Sequence, residues 1–437
     1  MGRATDMGWN RWYSARSYLR SSLWIVPFVT FVAYLVMVRV VDTVDSGIGW
    51  LEYFADFGVS GLTAALQTII TLSASFLVFT FGSLLVAIQI AGGQLTPRII
   101  ATTLLRDNAI RFSVGLFILS LLSATGALVR LETSDSHLII LVANVLGLVS
   151  IATFLFLIDY AARLLRPVSI VWRVGEEGIA VIKRVYPDVV EGAARPSPAP
   201  SAPEGPSRTL LHQARSGIVL AVNIEALTTL ARRTGGVIEV VPLVGDFLAS
   251  GDPLFRLHGR ARDIEDGKLA AQVALGDERT IEQDATFAFR VIVDIAIKAL
   301  SKAINDPTTA VLALDQLHRL LRAVGARHLR GEEIRDQDGQ LRVLFRTPDW
   351  EDFVHLTCRE IRLYGAENFQ IARRMRAMID NLLLTLPEYR HPALREELAL
   401  LDSTLETLYP LLPDLALARI ADTQGLGGAS KHLPSAR

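Results

Sequence analysis

Residues Gly61–Ala91 read GLTAALQTIITLSASFLVFTFGSLLVAIQIA, an apolar stretch of 31 residues that contains no charged side chain. An α-helix rises about 1.5 Å per residue, so this stretch predicts a helix of about 46 Å. The hydrocarbon core of a bilayer is about 30 Å thick, and this helix would fit inside it only at a tilt near ~50°, beyond the usual range of about 0–40°. We therefore expect a transmembrane helix that protrudes from the membrane at its C-terminal end, toward Gly92–Arg98.

Three other stretches are long and apolar enough to cross a bilayer, which takes roughly 20 helical residues. They are Leu23–Val41, Phe112–Val129 and His137–Ile158. The composition agrees, because only 20% of the 437 residues are charged, against about 25% in soluble domains. The net charge of −1 argues against a generally basic nucleic-acid-binding protein. The predicted fold class is an α-helical membrane protein with four transmembrane helices plus a mostly helical α+β cytoplasmic domain with a small β subdomain.

Arginine residues are concentrated on one side of the four predicted spans. They lie before the first span, after the second and after the fourth, at Arg3, Arg11, Arg16, Arg20, Arg98, Arg106, Arg111, Arg163, Arg166 and Arg173. The loop after the first span carries no Lys or Arg and is acidic, at Asp42, Asp45, Glu52 and Asp56. Because positively charged loops stay in the cytoplasm, we expect a multi-pass protein with both termini cytoplasmic.

The two faces of the second predicted span differ in side-chain size and polarity. One sector of about 80° holds small, hydroxyl-bearing or amide residues together with two apolar ones. Its members are Ala64, Thr68, Thr71, Ser75, Phe79, Gly82, Val86, Gln89 and Gly93. The opposite face is bulky, with Leu66, Ile70, Leu77, Phe81, Leu84 and Ile88, and we expect it to face lipid.

Two interpretations of the small face remain open. Small residues and Ser/Thr hydroxyls are typical of helix packing in membranes. The same face is also suited to a water-filled pore in a homo-oligomer, where rings of Phe79 or Val86 would form constrictions that gate by dewetting. The candidate pore-lining residues are Thr68, Thr71, Ser75, Phe79, Gly82, Val86 and Gln89. No Asp, Glu or Lys lies inside the second, third or fourth span, and the one His is His137 at the first position of the fourth, which disfavours a proton relay or an ion-coupled transporter.

The remainder of the chain divides by composition. Five prolines between Arg195 and Ser207 predict an extended linker. The predicted parts are an N-terminal cytoplasmic flank (1–22), the transmembrane domain (23–166), a membrane-proximal segment (167–190), the Pro-rich linker (191–209), a small α/β or β-barrel-like subdomain (210–260), a helical cytoplasmic domain (261–422) and a disordered tail (423–437).

Local capping signals place several elements after the linker. Strands are expected at Gly217–Val222, Val237–Val244 and Leu341–Phe345, and Asn223 is expected to cap a helix. Asp306 and Pro307 fit the cap and first turn of another helix. The main helices are expected at Asp284–Ile304, Thr308–Val324, Trp350–Tyr364, Asn368–Thr385 and Pro392–Tyr409.

No pattern of ligand-bearing residues points to a cofactor, a metal or a catalytic residue. The histidines at 212, 258, 318, 328 and 355 show no metal-ligand spacing, and Cys358 is the single cysteine. Asp294, Lys298, Ser301, Lys302 and Asn305 share one helical face. That face fits either an acid/base or phosphate-binding cluster, or an Asp–Lys pair on a solvated surface.

Two stretches resemble a known family. They are SASFLVFTFGSLLVAIQIAGGQLTPR (Ser73–Arg98) and DERTIEQDATFAFRVIVDIAIKALSKAINDPTTAVLALDQL (Asp277–Leu317), and both are similar to the predicted bacterial membrane proteins of domain-of-unknown-function family 2254. This sequence differs from the family's pattern at Lys302, where the pattern has proline. The resemblance implies a bacterial inner-membrane protein, and it implies two sets of motif positions. The cytoplasmic motif comprises Glu278, Arg279, Thr280, Gln283, Asp284, Asn305, Asp306 and Pro307, and the membrane-exit segment comprises Gln94, Pro97, Arg98 and Arg106, next to Gln89.

The leading functional hypothesis is a homo-oligomeric inner-membrane channel-like protein. Its second transmembrane helix would line the pore, and its cytoplasmic domain would assemble the ring and bias opening. The expected partners are the lipid bilayer, further copies of the chain and small ions. Nucleic acid is not an expected partner. Two alternatives stay open, namely a membrane-anchored scaffold or ligand sensor without conduction, and a membrane-bound enzyme.

Overall fold

The structure is a computed structural model that describes residues 8–13, 25–45, 59–94, 107–131, 137–164, 166–190, 207–329 and 333–428. These residues divide into two compact units. The bundle unit lies within residues 18–93 and 97–170, and the α+β unit lies within residues 1–17, 94–96 and 171–437.

The bundle unit contains four helices in its described residues: α1 (Ile25–Asp45), α2 (Val59–Gln94), α3 (Asn108–Leu131) and α4 (His137–Leu164). Three segments are long and apolar enough to cross a membrane, namely Val59–Gln89, Asn108–Leu131 and Leu138–Arg163. These confirm the second, third and fourth predicted spans. The apolar part of α1 is shorter, Ile25–Val41, and Leu23 and Trp24 lie outside the described residues. The first span therefore stays a prediction.

Close contacts through small residues hold the bundle together. Gly126 on α3 lets the Tyr34 side chain of α1 approach, and Gly147 on α4 does the same for Ile69 on α2. A buried hydrogen bond of 3.2 Å joins the hydroxyls of Ser73 on α2 and Ser120 on α3. Small residues at such crossings allow helices to approach closely in an apolar environment.

The prediction that the bulky face of α2 meets lipid is wrong for two of its residues. Leu66 and Leu84 are both buried, whereas Phe81 on the same face is exposed. Leu66 lies in one apolar cluster with residues of α3 and α4, and Leu84 lies in another with Phe117. Large aliphatic side chains fill the space between helices, where dispersion contacts are densest, so Leu66 and Leu84 turn inward.

An amphipathic helix, α5 (Pro167–Val185), follows the bundle. Val174 and Ile182 are buried on one of its faces. Gly178 lies against Ala288 and Leu320, which belong to helices later in the chain. The second half of α5 is therefore part of the core of the α+β unit.

The first part of the α+β unit contains the strands of two small sheets and two helices. The elements are β1 (Ser207–Leu211), β2 (Gly217–Val222), α6 (Ile224–Thr234), β3 (Val237–Val240), β4 (Phe247–Leu248), β5 (Pro253–His258), α7 (Asp266–Ala270) and β6 (Val273–Gly276). The short sheet has the order β4-β2-β6. The expected strand at Gly217–Val222 and the Asn223 cap are confirmed, and the Asn223 side chain accepts a hydrogen bond from the Ala226 amide at 3.2 Å.

The helical part follows, with two more strands inserted in it. Its elements are α8 (Ala285–Ala299), α9 (Pro307–Gly325), β7 (Glu333–Arg335), β8 (Leu341–Phe345), α10 (Trp350–Gly365), α11 (Phe369–Thr385), α12 (His391–Leu408) and α13 (Leu412–Ala418). Asp306 is an N-cap, as the sequence predicts. Asn368 and Asp284, which the sequence places as the first residues of their helices, are also N-caps.

The larger sheet draws strands from beyond residues 210–260. Its order is β1-β5-β3-β8-β7, and β3 and β8 are parallel whereas the other pairs are antiparallel. A parallel pair requires a long crossover, and here the crossover includes α8 and α9. The sheets and the helices therefore form one interleaved unit, whose described residues begin again at Ser207 after a gap at residues 191–206.

Helix α8 lies at the centre of this unit. Phe289, Ile292 and Ile295 are completely buried on it. The Phe289 ring lies 5.0 Å, centroid to centroid, from the ring of Phe353 on α10. A helix that is apolar around most of its circumference must be covered on all sides, which explains why sheets and later helices enclose it.

The last described residues form a turn around a buried carboxylate. Asp422 accepts hydrogen bonds from the amides of Gln424, Gly425 and Gly427, at 3.0, 3.0 and 2.6 Å. The buried Arg373 guanidinium of α11 donates to the carbonyls of Ile420 and Gly427. Residues 423–428, which fall in the predicted disordered tail, are thus bonded to the helical core, and residues 429–437 lie outside the described residues.

We predict that Asp422→Ala opens this turn without unfolding the protein. The Gly425 and Gly427 amides lose a charged acceptor, and such hydrogen bonds contribute about 1.5–3 kcal/mol each. Hydrogen exchange of these two amides, measured by mass spectrometry on the full chain, should accelerate roughly ten- to hundredfold. Asp414→Ala in α13 is the control, and equal protection in both variants would contradict the role given to Asp422.

Candidate functional site

The predicted pore-lining face of α2 lies on the surface of the bundle. All seven residues, Thr68, Thr71, Ser75, Phe79, Gly82, Val86 and Gln89, are exposed. A side chain added at Gly82 would meet no atom within 4 Å, in contrast to Gly126 and Gly147. Packing of this face inside one protomer, which the sequence left open, is therefore not what the structure shows.

The hydroxyls on this face are bonded to their own helix. Thr68 donates to the Ala64 carbonyl at 2.8 Å, Thr71 to the Gln67 carbonyl at 2.9 Å and Ser75 to the Thr71 carbonyl at 2.8 Å. Each bond satisfies the hydroxyl hydrogen and leaves the oxygen lone pairs directed away from the helix axis. The face can therefore accept hydrogen bonds from water or from a neighbouring chain.

The membrane-exit residues predicted from the family resemblance cannot be placed. Pro97, Arg98 and Arg106 lie outside the described residues, and Gln94 is described only as the last residue of α2.

The cytoplasmic motif is divided between the two ends of α8. Gln283 and Asp284 lie at the start of this helix, and Asn305, Asp306 and Pro307 lie just after its end, at the start of α9. A helix of 15 residues is about 22 Å long, so the two groups do not form one site.

The second group joins two helices. Asp306 accepts hydrogen bonds from the Thr309 amide, at 3.1 Å, and from the Thr309 hydroxyl. Asn305 has a positive φ of 48°, a conformation that asparagine adopts more readily than most residues. This group therefore fixes the turn between α8 and α9.

The first group lines a cleft of about 680 Å³ between the sheets and α8. Polar residues from several elements line it, and they are Arg184, Asn223, Glu225, Thr228, Gln283, Asp284, Thr286, Arg346 and Thr347. Gln283 accepts a hydrogen bond from the Val222 amide at 3.4 Å, which fixes the end of α8 to strand β2. The cleft thus combines apolar walls with a few convergent polar groups, which is typical of small-molecule sites.

Asp284 is the buried acid of this cleft. Its Oδ1 accepts hydrogen bonds from the Phe287 amide at 3.0 Å and the Thr286 hydroxyl at 2.7 Å. A side chain at Gly245 would place its Cβ 2.4 Å from Asp284 Oδ2, and Gly245 has a φ of +97°, so glycine permits both the turn and the close approach. Burial raises the pKa of the Asp284 carboxyl, although these hydrogen bonds and the charge of Arg279 act in the opposite direction.

Three other motif residues differ in their surroundings. Glu278 and Arg279 are exposed, and Thr280 is half-buried. The Thr280 hydroxyl oxygen itself is buried and has no hydrogen-bond partner. These residues form the approach to the Asp284 cap rather than a separate cluster.

The polar face of α8 that the sequence singled out is an ion-pair network. Arg290 donates to Asp294 at 2.6 Å and also contacts Glu360 on α10. Sequence reasoning missed Arg290 and Glu360, because the partner lies on a helix that follows much later in the chain. The network joins α8 to α10 and supports a structural interpretation of this face.

The family model described as "Predicted membrane protein (DUF2254)" matches residues 20–381. The chain belongs to this family. Two uncharacterized proteins, one from Mycobacterium bovis and one from Mycobacterium tuberculosis strain H37Rv, are each 26% identical over 373 residues, which cover 82% of this chain and 71% of each relative. No solved structure matches the chain. The comparisons therefore establish a membrane-protein family and assign no activity to the cleft or to α2.

We predict that Asp284→Asn stabilises the protein at neutral pH. A raised pKa in the folded state means that ionised Asp284 disfavours folding, and this cost disappears below the carboxyl's ordinary pKa, near pH ~4. Asparagine keeps the cap without the charge. Thermal unfolding of the detergent-solubilised full chain should therefore show a higher Tm for the variant at pH 7.5, by a few degrees, and convergence with the wild type near pH ~4.

The control is Asp306→Asn, which alters the half-exposed cap at the other end of α8. If Asp284→Asn lowers the Tm at pH 7.5, the ionised carboxylate is stabilising and the assignment is wrong.

Proposed function

We propose that this chain is a homo-oligomeric, channel-like protein of the bacterial inner membrane, with α2 lining a pore and with the α+β unit in the cytoplasm assembling the ring. The observation that carries the proposal is the orientation of α2, whose bulky residues Leu66 and Leu84 are buried in its own bundle while its hydroxyl-bearing face is exposed. In an assembly around an axis, this exposed face meets its own copies or the water between them.

The polarity of the side chains on this face favours contact with water or protein over contact with lipid. Transfer of an amide such as that of Gln89 into an apolar medium without a partner costs roughly 2–7 kcal/mol. The exposed side chains alternate small polar residues with Phe79 and Val86, which suits a wetted wall interrupted by apolar rings. The adjoining arc with Leu85, about 60° around the helix from Gly82, is exposed too and carries both polar and apolar side chains, among them Gln67 and Val78.

The packing of the N-terminal residues supports the proposed topology. Trp9 and Tyr13 lie against Leu220 and Ala274 of the short sheet, and the Asn10 amide donates to the Ala271 carbonyl at 3.3 Å. Residues 8–13 and the α+β unit must therefore lie on the same side of a membrane. An even number of crossings between them favours four spans, with α1 as the first, and agrees with the positive-inside rule.

We predict that purified protein in planar bilayers conducts ions and that Gly82→Trp reduces the unit conductance at least about tenfold. The new indole would enter the space around the axis, where a pore this narrow is blocked by steric exclusion and dewetting. Gly82 has open space around it, so the protomer should fold normally. Leu85→Trp, three residues further along α2 and about 60° around the helix, is the matched control at an equally exposed position and should conduct like the wild type.

Cysteine cross-linking tests the assembly independently of conduction. The single native cysteine, Cys358, is buried, so Thr68→Cys or Ser75→Cys supplies the reactive thiol. Disulfide-linked dimers in membranes are expected for both variants and not for Leu148→Cys, on the exposed surface of α4. A chain that stays monomeric and silent in bilayers overturns the proposal.

A second candidate function is a membrane-anchored ligand sensor, and the cleft at Asp284 favours it. A buried acid with a raised pKa beside convergent polar groups is a frequent sign of a binding site. Such a sensor needs no pore.

We predict for the sensor that a panel of small polar metabolites contains at least one that raises the Tm of the full chain, and that Thr228→Trp removes this shift. The indole would fill the cleft from α6, whereas Thr229→Trp changes the adjacent residue outside the cleft wall and is the control. A ligand-dependent shift without conductance supports the sensor, and conductance blocked by Gly82→Trp without any ligand effect supports the channel.

A further inference from the structure

Helices α10 and α12 bring together one histidine and two carboxylates that lie apart in the sequence. His355 Nε2 lies 3.8 Å from Glu397 Oε1 and 3.9 Å from Glu396 Oε2. Among the residues that the structure describes, this is the group of His, Cys, Asp and Glu side chains whose ligand atoms lie close enough, within 4.8 Å of one another, to share a metal ion.

Two atoms of this group are buried and lack a hydrogen-bond partner. They are His355 Nε2 and Glu397 Oε2. Glu397 is only 1% exposed. Most buried polar atoms in folded proteins are paired, since an unpaired one costs about 1–3 kcal/mol and more when it is charged. The 3.8 Å and 3.9 Å separations are too long for hydrogen bonds, so the imidazole does not supply the missing partner.

Arg359 lies on one side of the two carboxylates and partly neutralises their negative charge. Its Nε donates to Glu397 Oε1 at 2.9 Å, and its guanidinium donates to Glu396 Oε1 at 3.0 Å. One positive charge faces two negative charges, so the group keeps a net negative charge. The second oxygen of each carboxylate is not used by this guanidinium, and hydrogen bonds of this kind orient metal-ligating carboxylates in known sites.

The spacing fits a small cation between the three ligand atoms. Around a tetrahedral ion with bonds of about 2.0–2.2 Å, ligand atoms lie about 3.3–3.6 Å apart. The distances from His355 Nε2 to the nearer oxygens of Glu397 and Glu396, 3.8 and 3.9 Å, exceed this range by only about 0.2–0.6 Å. Glu396 is half-exposed and can make this movement, whereas Glu397 is fixed by burial.

We propose that His355, Glu396 and Glu397 form a binding site for a divalent first-row transition-metal ion, with Arg359 holding the carboxylates from outside and water completing the coordination. An imidazole nitrogen with two carboxylate oxygens suits Zn²⁺, Mn²⁺ or Fe²⁺, whereas Mg²⁺ and Ca²⁺ prefer oxygen ligands alone. A bound ion would link α10 to α12, with His355 Nε2 and Glu397 Oε2, the carboxylate oxygen that Arg359 leaves free, as its ligands.

The chain offers a matched control for this group. Glu239 accepts from Arg256 at 2.8 Å and lies 3.2 Å from His258 Nε2. This second group has the same residue types, but it has one carboxylate and its histidine is within hydrogen-bond distance. His258→Gln therefore removes a histidine from a His–Glu–Arg contact that is not expected to bind metal.

The test uses the full-length, tag-free protein in detergent, stripped with a chelator and equilibrated with Zn²⁺. Equilibrium dialysis with elemental analysis should give one tightly bound Zn²⁺ per chain for the wild type and for His258→Gln. The affinity should fall at least about tenfold in His355→Gln and in Glu396→Gln. Glu396 is half-exposed, so its variant should fold, and circular dichroism checks this. Zn²⁺ should also raise the Tm of the wild type and not of Glu396→Gln.

Visible absorption spectroscopy with Co²⁺ tests which residues bind the ion. Co²⁺ in place of Zn²⁺ should give visible absorption bands typical of a four- or five-coordinate nitrogen and oxygen site, and these bands should be absent in His355→Gln. Equal Zn²⁺ binding by the wild type and a folded Glu396→Gln, or no saturable binding by the wild type, would overturn the proposal. The group would then be an Arg–carboxylate pair with a neighbouring imidazole.

Discussion

The fold of the membrane-spanning part depends on which face of α2 its own bundle covers. Burial of Leu66, Phe76 and Leu84 between the helices supplies the dispersion contacts that hold this long helix in place. Once these residues point inward, helical geometry forces Thr68, Ser75 and Gly82 outward. The exposed polar face is thus a consequence of core packing, and any function built on α2 must use a surface that the protomer leaves uncovered.

The α+β unit depends in a similar way on the burial of α8. A helix in such a covered core has N-terminal amides that bulk water does not reach, so these amides need a side-chain partner. Asp284 and Asp306 supply these partners at the start of α8 and of α9. The two caps differ in their effect on the free energy of folding. Asp284 is buried and its pKa is raised, so its ionised form disfavours folding, whereas Asp306 is half-exposed. Because Asp284 lies at the wall of a cleft and its ionisation disfavours folding, we infer that it has a role beyond capping.

Signals that act within a few residues were readable from the sequence. The caps at Asn223 and Asp306, the strand at Gly217–Val222 and three apolar spans follow from local hydrogen bonding and hydropathy, and all are confirmed. Contacts between distant segments were not readable. The parallel pairing of β3 with β8 and the position of Leu66 in the bundle core depend on packing partners that no local pattern specifies. The hydroxyl-bearing face of α2 was recognised by its composition, whereas its exposure required the bundle.

The C-terminal elements show why a family match does not delimit a folded unit. The match ends at residue 381, inside α11, yet the buried guanidinium of Arg373 on that helix donates to the carbonyls of Ile420 and Gly427. Without residues that follow the match, this arginine would lose those acceptors, and a buried cation without acceptors is strongly unfavourable. Helix α12 also brings Glu397 to Arg359 on α10. The chain beyond residue 381 is therefore part of the same core as α10 and α11.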